Sequence, residues 1–396
     1  MNYIKRFLKP SLEKALQRHK SILLLGPRQT GKTTLIQQIK NDYFISLVQP
    51  VVRQKYEKNP SLLTGEIEVI AEEKKSTPLI VIDEIQKVPE LLDVAQDLID
   101  RRVAKFILTG SSARKLRTAK GINLLPGRVV VFHLDTLTLS ELKNEKCTLE
   151  QLLYYGMLPG IIQTAVEEDK ETDLRSYVTT YLEEEIRLEA VVRNIGHFSN
   201  FLQLACSEAG EIVNLRKLSQ VIGVAHTTIA SYYQILEDCL IAERIQPLRE
   251  TKARRRLTSS PKYLFFDLGV RRLGAEEGIG FSKEQLGKQF EQFVGLELIK
   301  TARLVDSSIK IKFWRDSDRG QEVDWIIEKQ GHYLPIEVKW TTTPSIQDVK
   351  HLKIFLAEYK NVEKGYVVCR VKQKIKLTDN IYAIPWNEVD KLIIKE

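Results

Sequence analysis

Apolar residues fall along this chain in two rhythms, short runs and helical spacing, and their arrangement divides it into three stretches. In the first, to about residue 140, short apolar runs alternate with segments of helical spacing. Ser21–Leu25 and residues 78–82, 105–109 and 129–132 read as strands, each too short for a helix and rich in Ile, Leu, Val and Phe. Residues 33–40 read as the helix leaving the first strand. Such alternation predicts a mostly parallel sheet with helices on both faces. A ligand would sit at the carboxyl ends of its strands, where Lys32, Asp83 and Ser111 fall.

The second stretch is helical, with a dense acidic run at 181–189 that reads as a solvated helix face. Residues 215–224 read as a helix closing on a Gly turn, and 225–236 as a second helix. Ile229, Tyr232 or Tyr233, and Leu236 share its inward face. This is a helix-turn-helix layout with short polar residues early in the second helix, where base edges would lie. Residues 239–245 would open a winged element. The run 249–256 then carries five basic residues against one acidic, fitting either a phosphate-contacting wing or an exposed connector. In the last stretch, a helix over 286–298 precedes a strand at 321–328, a turn at 329–332 and a strand at 333–340.

Composition changes this picture little. With 396 residues, two or three domains are expected, and 43% hydrophobic with 28% charged residues is ordinary for a soluble globular protein. No apolar run can span a bilayer, and the first residues lack a signal-peptide core, so a cytoplasmic protein without a membrane partner is expected. The four cysteines are scattered and form no metal-type pair. A formal charge of +8 leans toward an anionic partner, with DNA the leading candidate.

The junction after the first strand carries the clearest chemistry. Gly26, Pro27, Arg28, Gln29, Thr30, Gly31, Lys32 and Thr33, with Thr34 behind them, fit G-x-x-x-x-G-K-[ST] at every fixed position. Glycines let backbone N–H groups curl around phosphates, and the following helix adds its positive dipole end. Lys32 is expected on the β- and γ-phosphates and Thr33 on Mg²⁺. Asp83, at the end of an apolar strand, would hold the metal shell through water, and Glu84 would orient the attacking water. Ser111 reads either as a γ-phosphate sensor or as part of a plain turn. Arg128 reads either as an arginine finger, in its own chain or on a neighbour, or as a surface charge. Arg28 could touch nucleotide or substrate.

A second constellation lies near the carboxyl end. Glu337 and Lys339 are two apart on one strand and so share a face, with Asp324 on the adjacent strand. Two carboxylates in that arrangement can hold Mg²⁺ or Mn²⁺ against a phosphate, with Lys339 polarising water or stabilising charge at phosphorus. Glu291 on the upstream helix is the expected further ligand, and Glu297 the alternative. Helix, two strands and E-x-K in this order resemble the PD-(D/E)xK nuclease core, a fold many of whose members bind without cutting.

The segments GPRQTGKTT, IDEIQKVP and LTGSSARKL together resemble the prokaryotic AAA-type ATPases that carry an additional C-terminal domain, and the resemblance extends over nearly the whole chain. It implies ATP rather than GTP and a winged-helix-like middle. The expected architecture is therefore α/β: an AAA-type P-loop ATPase domain at 1–140, a helical and winged-helix domain at 141–260, and a restriction-endonuclease-like α/β domain at 261–396. The expected activity is ATP hydrolysis coupled to a metal-dependent nuclease-like site acting on DNA. The alternatives are a nucleotide-gated switch that binds DNA or protein, or forms a homo-oligomer, without cutting, and a signalling or chaperone-like ATPase.

Overall fold

The computed structural model describes residues 3–112, 125, 127–143, 145–182, 195–249 and 257–394, and of residues 181, 182 and 195 the backbone alone. Residues 183–189 of the acidic run and 250–256 of the basic run lie outside the described residues.

The first sheet has strands β1 (Ser21–Leu25), β2 (Tyr43–Ser46), β3 (Leu79–Asp83), β4 (Lys105–Gly110) and β5 (Val129–His133) in the order β2-β3-β4-β1-β5. Every neighbouring pair is parallel. All residues of β1 and β3 are buried, as a parallel sheet covered on both faces requires. Alternate side chains feed two separate cores. Leu23, Leu25, Ile80 and Ile82 pack against the helices Leu62–Lys74 and Leu91–Asp100. Ile22, Leu24 and Val81 pack on the other side with Leu12, Leu35 and Ile36. The helix after β1 is shorter than expected, Lys32–Ile36, and tightens into i→i+3 turns at Gln38 and Ile39.

The middle of the chain builds its own core from the helices Ile195–Ser207, Leu215–Ile222 and His226–Asp238 and a hairpin, joined by side chains of Glu167–Ser176 and Leu268–Gly274. Asn214 caps the second helix by accepting from Lys217 N at 3.0 Å, and Gly223, at φ 79°, closes it. Ile229, Tyr232, Tyr233 and Leu236 are buried. The hairpin pairs β6 (Ala242–Ile245) with β7 (Lys262–Phe265), Ala242 opposite Phe265. The boundary expected at 260 would separate these partners, so the middle unit continues past it.

The last sheet has six strands, β8 (Lys310–Arg315), β9 (Glu322–Lys329), β10 (His332–Val338), β11 (Gly365–Cys369), β12 (Ile375–Lys376) and β13 (Ile381–Pro385), in the order β12-β13-β11-β10-β9-β8. The turn from β9 to β10 uses Gln330 and Gly331 in left-handed conformations, φ 50° and 80°. One face carries the long helix Lys283–Val305, started by a Ser282–Gln285 capping box; the other carries Lys350–Glu358. A Cβ on Gly295 would sit 2.4 Å from the Trp325 ring, so the missing side chain lets the long helix press onto β9.

The three parts are not independent beads. Leu137, Leu149, Leu153 and Met157 share one core with Phe290, Phe293 and Trp325. Arg303 of the long helix pairs with Asp135, just beyond β5, at 2.8 Å and with Glu243 of β6 at 2.5 Å. No described helix is long and apolar enough to cross a membrane.

Candidate functional site

The P loop leaves β1 through Gly26, whose amide donates to Gly110 O of β4 at 3.2 Å. A Cβ on Gly26 would lie 2.2 Å from Leu134 O, so this junction admits only glycine without backbone movement. Gln29 and Gly31 take left-handed φ values of 60° and 92°, and Thr30 Oγ1 ties the bend to Pro27 O at 2.9 Å. Lys32 is buried, its ammonium donating to Gly26 O at 2.8 Å and Pro27 O at 2.9 Å. Burial pushes Lys32 down to about 8, against the upward pull of Glu84 and Asp83. It is poised to exchange two carbonyls for a stronger anionic partner.

Strand order sets the rest of this site. Because β4 lies between β1 and β3, its polar end stands between the loop and Asp83. Thr33 Oγ1 donates to Asp83 Oδ2 at 2.9 Å, and Thr109 Oγ1 to Asp83 Oδ1 at 2.6 Å. Burial holds Asp83 above the usual carboxylate range although both hydroxyls favour its charged form. Glu84 follows in a left-handed conformation, φ 61°, and its amide donates to Thr109 Oγ1 at 3.0 Å. Ser111 Oγ donates to Glu84 Oε2 at 2.9 Å, and Gln86 Nε2 donates to both Ser111 Oγ, at 2.9 Å, and Glu84. The loop and Glu84 line a 660 Å³ cavity. Arg28, Thr34, Tyr3, Ile4, Pro159 and Gln163 also line it.

Hydroxyl and carboxylate oxygens at Thr33 and Asp83 are the hard donor pair that Mg²⁺ takes, beside a lysine and backbone amides suited to phosphate; the residues present fit a magnesium nucleotide. Arg128 is elsewhere. It precedes β5 at the end where Ser21 meets Val129, the edge of the sheet opposite the loop, and pairs with Asp100 at 2.7 Å. The within-chain arginine finger is therefore corrected: strand direction points Arg128 away from its own nucleotide site.

Thr109, Gln86 and Arg6 were not singled out in the sequence. The polar ending of an apolar strand pointed toward Thr109; no local signal marked Arg6, which donates to Thr30 O at 2.5 Å and to Glu141 at 3.1 Å across the domain junction.

The C-terminal residues gather at the β9–β10 pair. Asp324 is buried and accepts from Val338 N at 2.7 Å. Glu337 is buried, with Oε1 at 2.7 Å from Lys339 Nζ and Oε2 without a hydrogen-bond donor. Glu291 Oε1 accepts from Lys262 Nζ at 3.0 Å, and its carbonyl from Trp325 Nε1 at 3.0 Å. Burial first, and then the Glu337 and Glu291 carboxylates, push Asp324 well above the carboxylate range. Burial likewise raises Glu337 to about 7, against Lys339. For Lys339 and Lys262 burial acts downward, yet the neighbouring carboxylates hold both above the ordinary lysine value.

Glu297, the alternative to Glu291, is not part of this cluster. It is buried one and a half turns further along the helix, pairing with Lys300 and accepting from Leu139 N at 2.9 Å. Among the described residues, no three His, Cys, Asp or Glu side chains converge closely enough to make a formed metal site. The orphaned Glu337 oxygen and the all-oxygen acid set still fit a hard divalent cation, provided the lysines give way.

Three family models match the chain. Residues 18–143 match the AAA domain family. Residues 147–277 and 286–389 match two domains of unknown function, DUF8612 and DUF4143. The uncharacterized protein Rv2008c of Mycobacterium tuberculosis is 27% identical over 386 residues, covering 96% of this chain and 82% of its own length. Among solved structures, the Aeropyrum pernix ORC1 protein in complex with DNA is 12% identical, covering 68% of this chain and 90% of its own, with a TM-score of 0.27. Cdc6p of Pyrobaculum aerophilum is 14% identical, covering 69% and 94%, with a TM-score of 0.28.

Proposed function

We propose that this chain binds and hydrolyses ATP and acts on DNA through a metal-dependent, nuclease-like C-terminal centre. The observation that carries the ATPase half is the connected set Thr33–Asp83–Thr109–Glu84–Ser111 beside the buried Lys32. Lys32 leaves the Gly26 and Pro27 carbonyls for the phosphates. Thr33 directly and Asp83 through water would hold Mg²⁺, which when bound would offset phosphate charge. Glu84, oriented by Ser111 and Gln86, accepts a proton from the attacking water. Ser111 is close enough to Glu84 to relay the presence of the γ-phosphate. Arg28 lines the cavity and would contact nucleotide or substrate. Arg128, paired with Asp100 in its own chain, would act as a finger only on a neighbouring copy.

The DNA-acting half draws support from exposed Arg216, Lys217 and Thr227 around the helix-turn-helix and from the basic run at 249–256. Asp324, Glu337 and Glu291 would hold the cation, and Lys339 would stabilise charge at phosphorus. A second reading, a nucleotide-gated binding switch without cleavage, is favoured by one observation: Glu337 and Glu291 already have lysine partners.

The test is cleavage of single- and double-stranded DNA with Mg²⁺ or Mn²⁺, with and without ATP, for wild type, Glu84→Gln and Asp324→Ala. The proposal expects ATP hydrolysis lost in Glu84→Gln and metal-dependent cutting lost in Asp324→Ala. Hydrolysis with no cutting under any condition selects the binding switch. No hydrolysis by the wild type overturns the ATPase reading.

A further inference from the structure

Lys262 belongs to β7, in the hairpin of the middle unit, yet its side chain ends in the C-terminal acid cluster. It is buried, 6% exposed, beside the Phe313 and Trp325 rings, with its ammonium 5.1 and 5.8 Å from their centroids. The ammonium bonds Glu291 Oε1 at 3.0 Å, and Asp324 and Glu322 add attraction. A lysine is seldom buried this fully without a charged partner. Here its position is fixed on both sides of the strand register, by Ile245 of β6 and by a bridge to Ile212.

The charges of the cluster then nearly balance without metal. Three carboxylates, Glu291, Asp324 and Glu337, face two ammonium groups, Lys262 and Lys339. Lys339 is the strand neighbour of Glu337 and comes with the E-x-K pattern. Lys262 does not; it is supplied from another part of the chain and covers the carboxylate that would complete a three-acid set. Meanwhile Glu337 Oε2 is buried with no donor, an acceptor position left open beside the blocked one.

We propose that Lys262 is a built-in counter-ion that keeps divalent cations out of the Glu291–Asp324–Glu337 cluster, and that a cation enters only when the Lys262 ammonium leaves Glu291. The inference rests on reading the cluster as a divalent-cation site. Two like charges a few ångströms apart in a poorly solvated site repel strongly, so the ammonium and a divalent ion exclude one another there. The Lys262–Glu291 contact is the geometry such exclusion requires. Lys262 is thus a positioning residue that gates the site from the middle unit.

The experiment is calorimetric titration of Mn²⁺ into the full chain, comparing wild type, Lys262→Met, Lys262→Gln and Lys262→Arg, each alone and with Glu337→Gln. Lys262→Gln keeps a hydrogen bond to Glu291 without charge and serves if the Met variant fails to fold. Removing the charge should tighten Glu337-dependent Mn²⁺ binding by about tenfold or more, while Lys262→Arg stays at the wild-type level. Equal Mn²⁺ affinity in wild type and both neutral variants overturns the gating role and leaves the cation site standing. If no variant shows binding that Glu337→Gln removes, the cation reading itself falls, and the gate with it.

Discussion

Thr109 Oγ1 donates to Asp83 Oδ1 at 2.6 Å while accepting the amide of Glu84 at 3.0 Å, so one hydroxyl fixes two successive acidic residues. The amide it accepts belongs to a residue in a left-handed conformation, which an acidic side chain adopts only with support. Thr109→Val keeps the volume and loses both bonds, leaving a buried amide and carboxylate short of a partner. It should cost about 1–3 kcal/mol of stability. If Thr109 positions Glu84, kcat for ATP should fall by about tenfold or more with nucleotide affinity nearly unchanged, and Thr109→Ser should recover most of it. A parallel loss of affinity and no rescue by Ser would mean the hydroxyl only stabilises the fold.

Gly26→Ala places a methyl 2.2 Å from the Leu134 carbonyl, a backbone atom that cannot swing aside. Either β5 or the loop must move. The expected outcome is a lower melting temperature together with an ATP affinity reduced by about tenfold or more, read by fluorescent-nucleotide titration. Unchanged affinity would show that the junction yields on the β5 side and leaves the loop intact.

Some of this was legible in the sequence because it is local. Ser21–Leu25 reads as a strand from its apolar run and its length, and the loop glycines state their own backbone requirements. The spacing of Glu337 and Lys339 puts them on one face whatever surrounds them, and their 2.7 Å contact follows. What escaped depends on distant packing. Glu291 is the expected ligand because Glu297, six positions on, does not share its helix face; that Glu297 instead lies under Leu139 depends on distant packing. Lys262 sits in an apolar strand as an isolated charge, which a sequence shows but cannot partner. Of the two readings open for Arg128, its place before β5, at the amino end of a parallel sheet, and its pairing with Asp100 favour the surface charge within its own chain.

Lys32 links pH to the stability of the nucleotide-free protein. Its folded value of about 8 lies below its ordinary 10.5. Between those values the unfolded chain holds the proton more firmly than the folded one, so stability rises with pH across that window. The gain is at most on the order of 3 kcal/mol. Buried tyrosines such as Tyr56 and Tyr263 are shifted upward and work the other way at high pH, so the comparison is wild type against Lys32→Met. Urea midpoints at pH 7.5 and 10 should rise more for wild type than for the variant. Bound ATP should erase the difference in slope, since the phosphates favour the charged lysine. An identical pH response in both proteins would mean that Lys32 is not desolvated in the free protein.

Glu297 and Lys300 form a buried pair on the long C-terminal helix, and both reach across to the segment that leaves the ATPase sheet. Glu297 accepts from Leu139 N at 2.9 Å, and Lys300 donates to Leu137 O at 2.7 Å. Burial first, with the Asp390 carboxylate adding to it, pushes the Glu297 carboxyl upward, and Lys300 and the Leu139 amide oppose it. Glu297→Ala therefore strands an ammonium in the shared core and should cost about 3–5 kcal/mol. Replacing both, Glu297→Leu with Lys300→Met, removes the stranded charge and should cost distinctly less than Glu297→Ala alone, leaving chiefly an unpaired Leu139 amide. Because the contacts cross the junction, the loss should appear there first. Limited proteolysis of Glu297→Ala should cut within 137–147 at temperatures where both flanking sheets remain folded by circular dichroism. If cleavage begins elsewhere, the pair stabilises the helix alone, and the mechanical link between the ATPase sheet and the C-terminal domain runs through Arg303 and Asp135 instead.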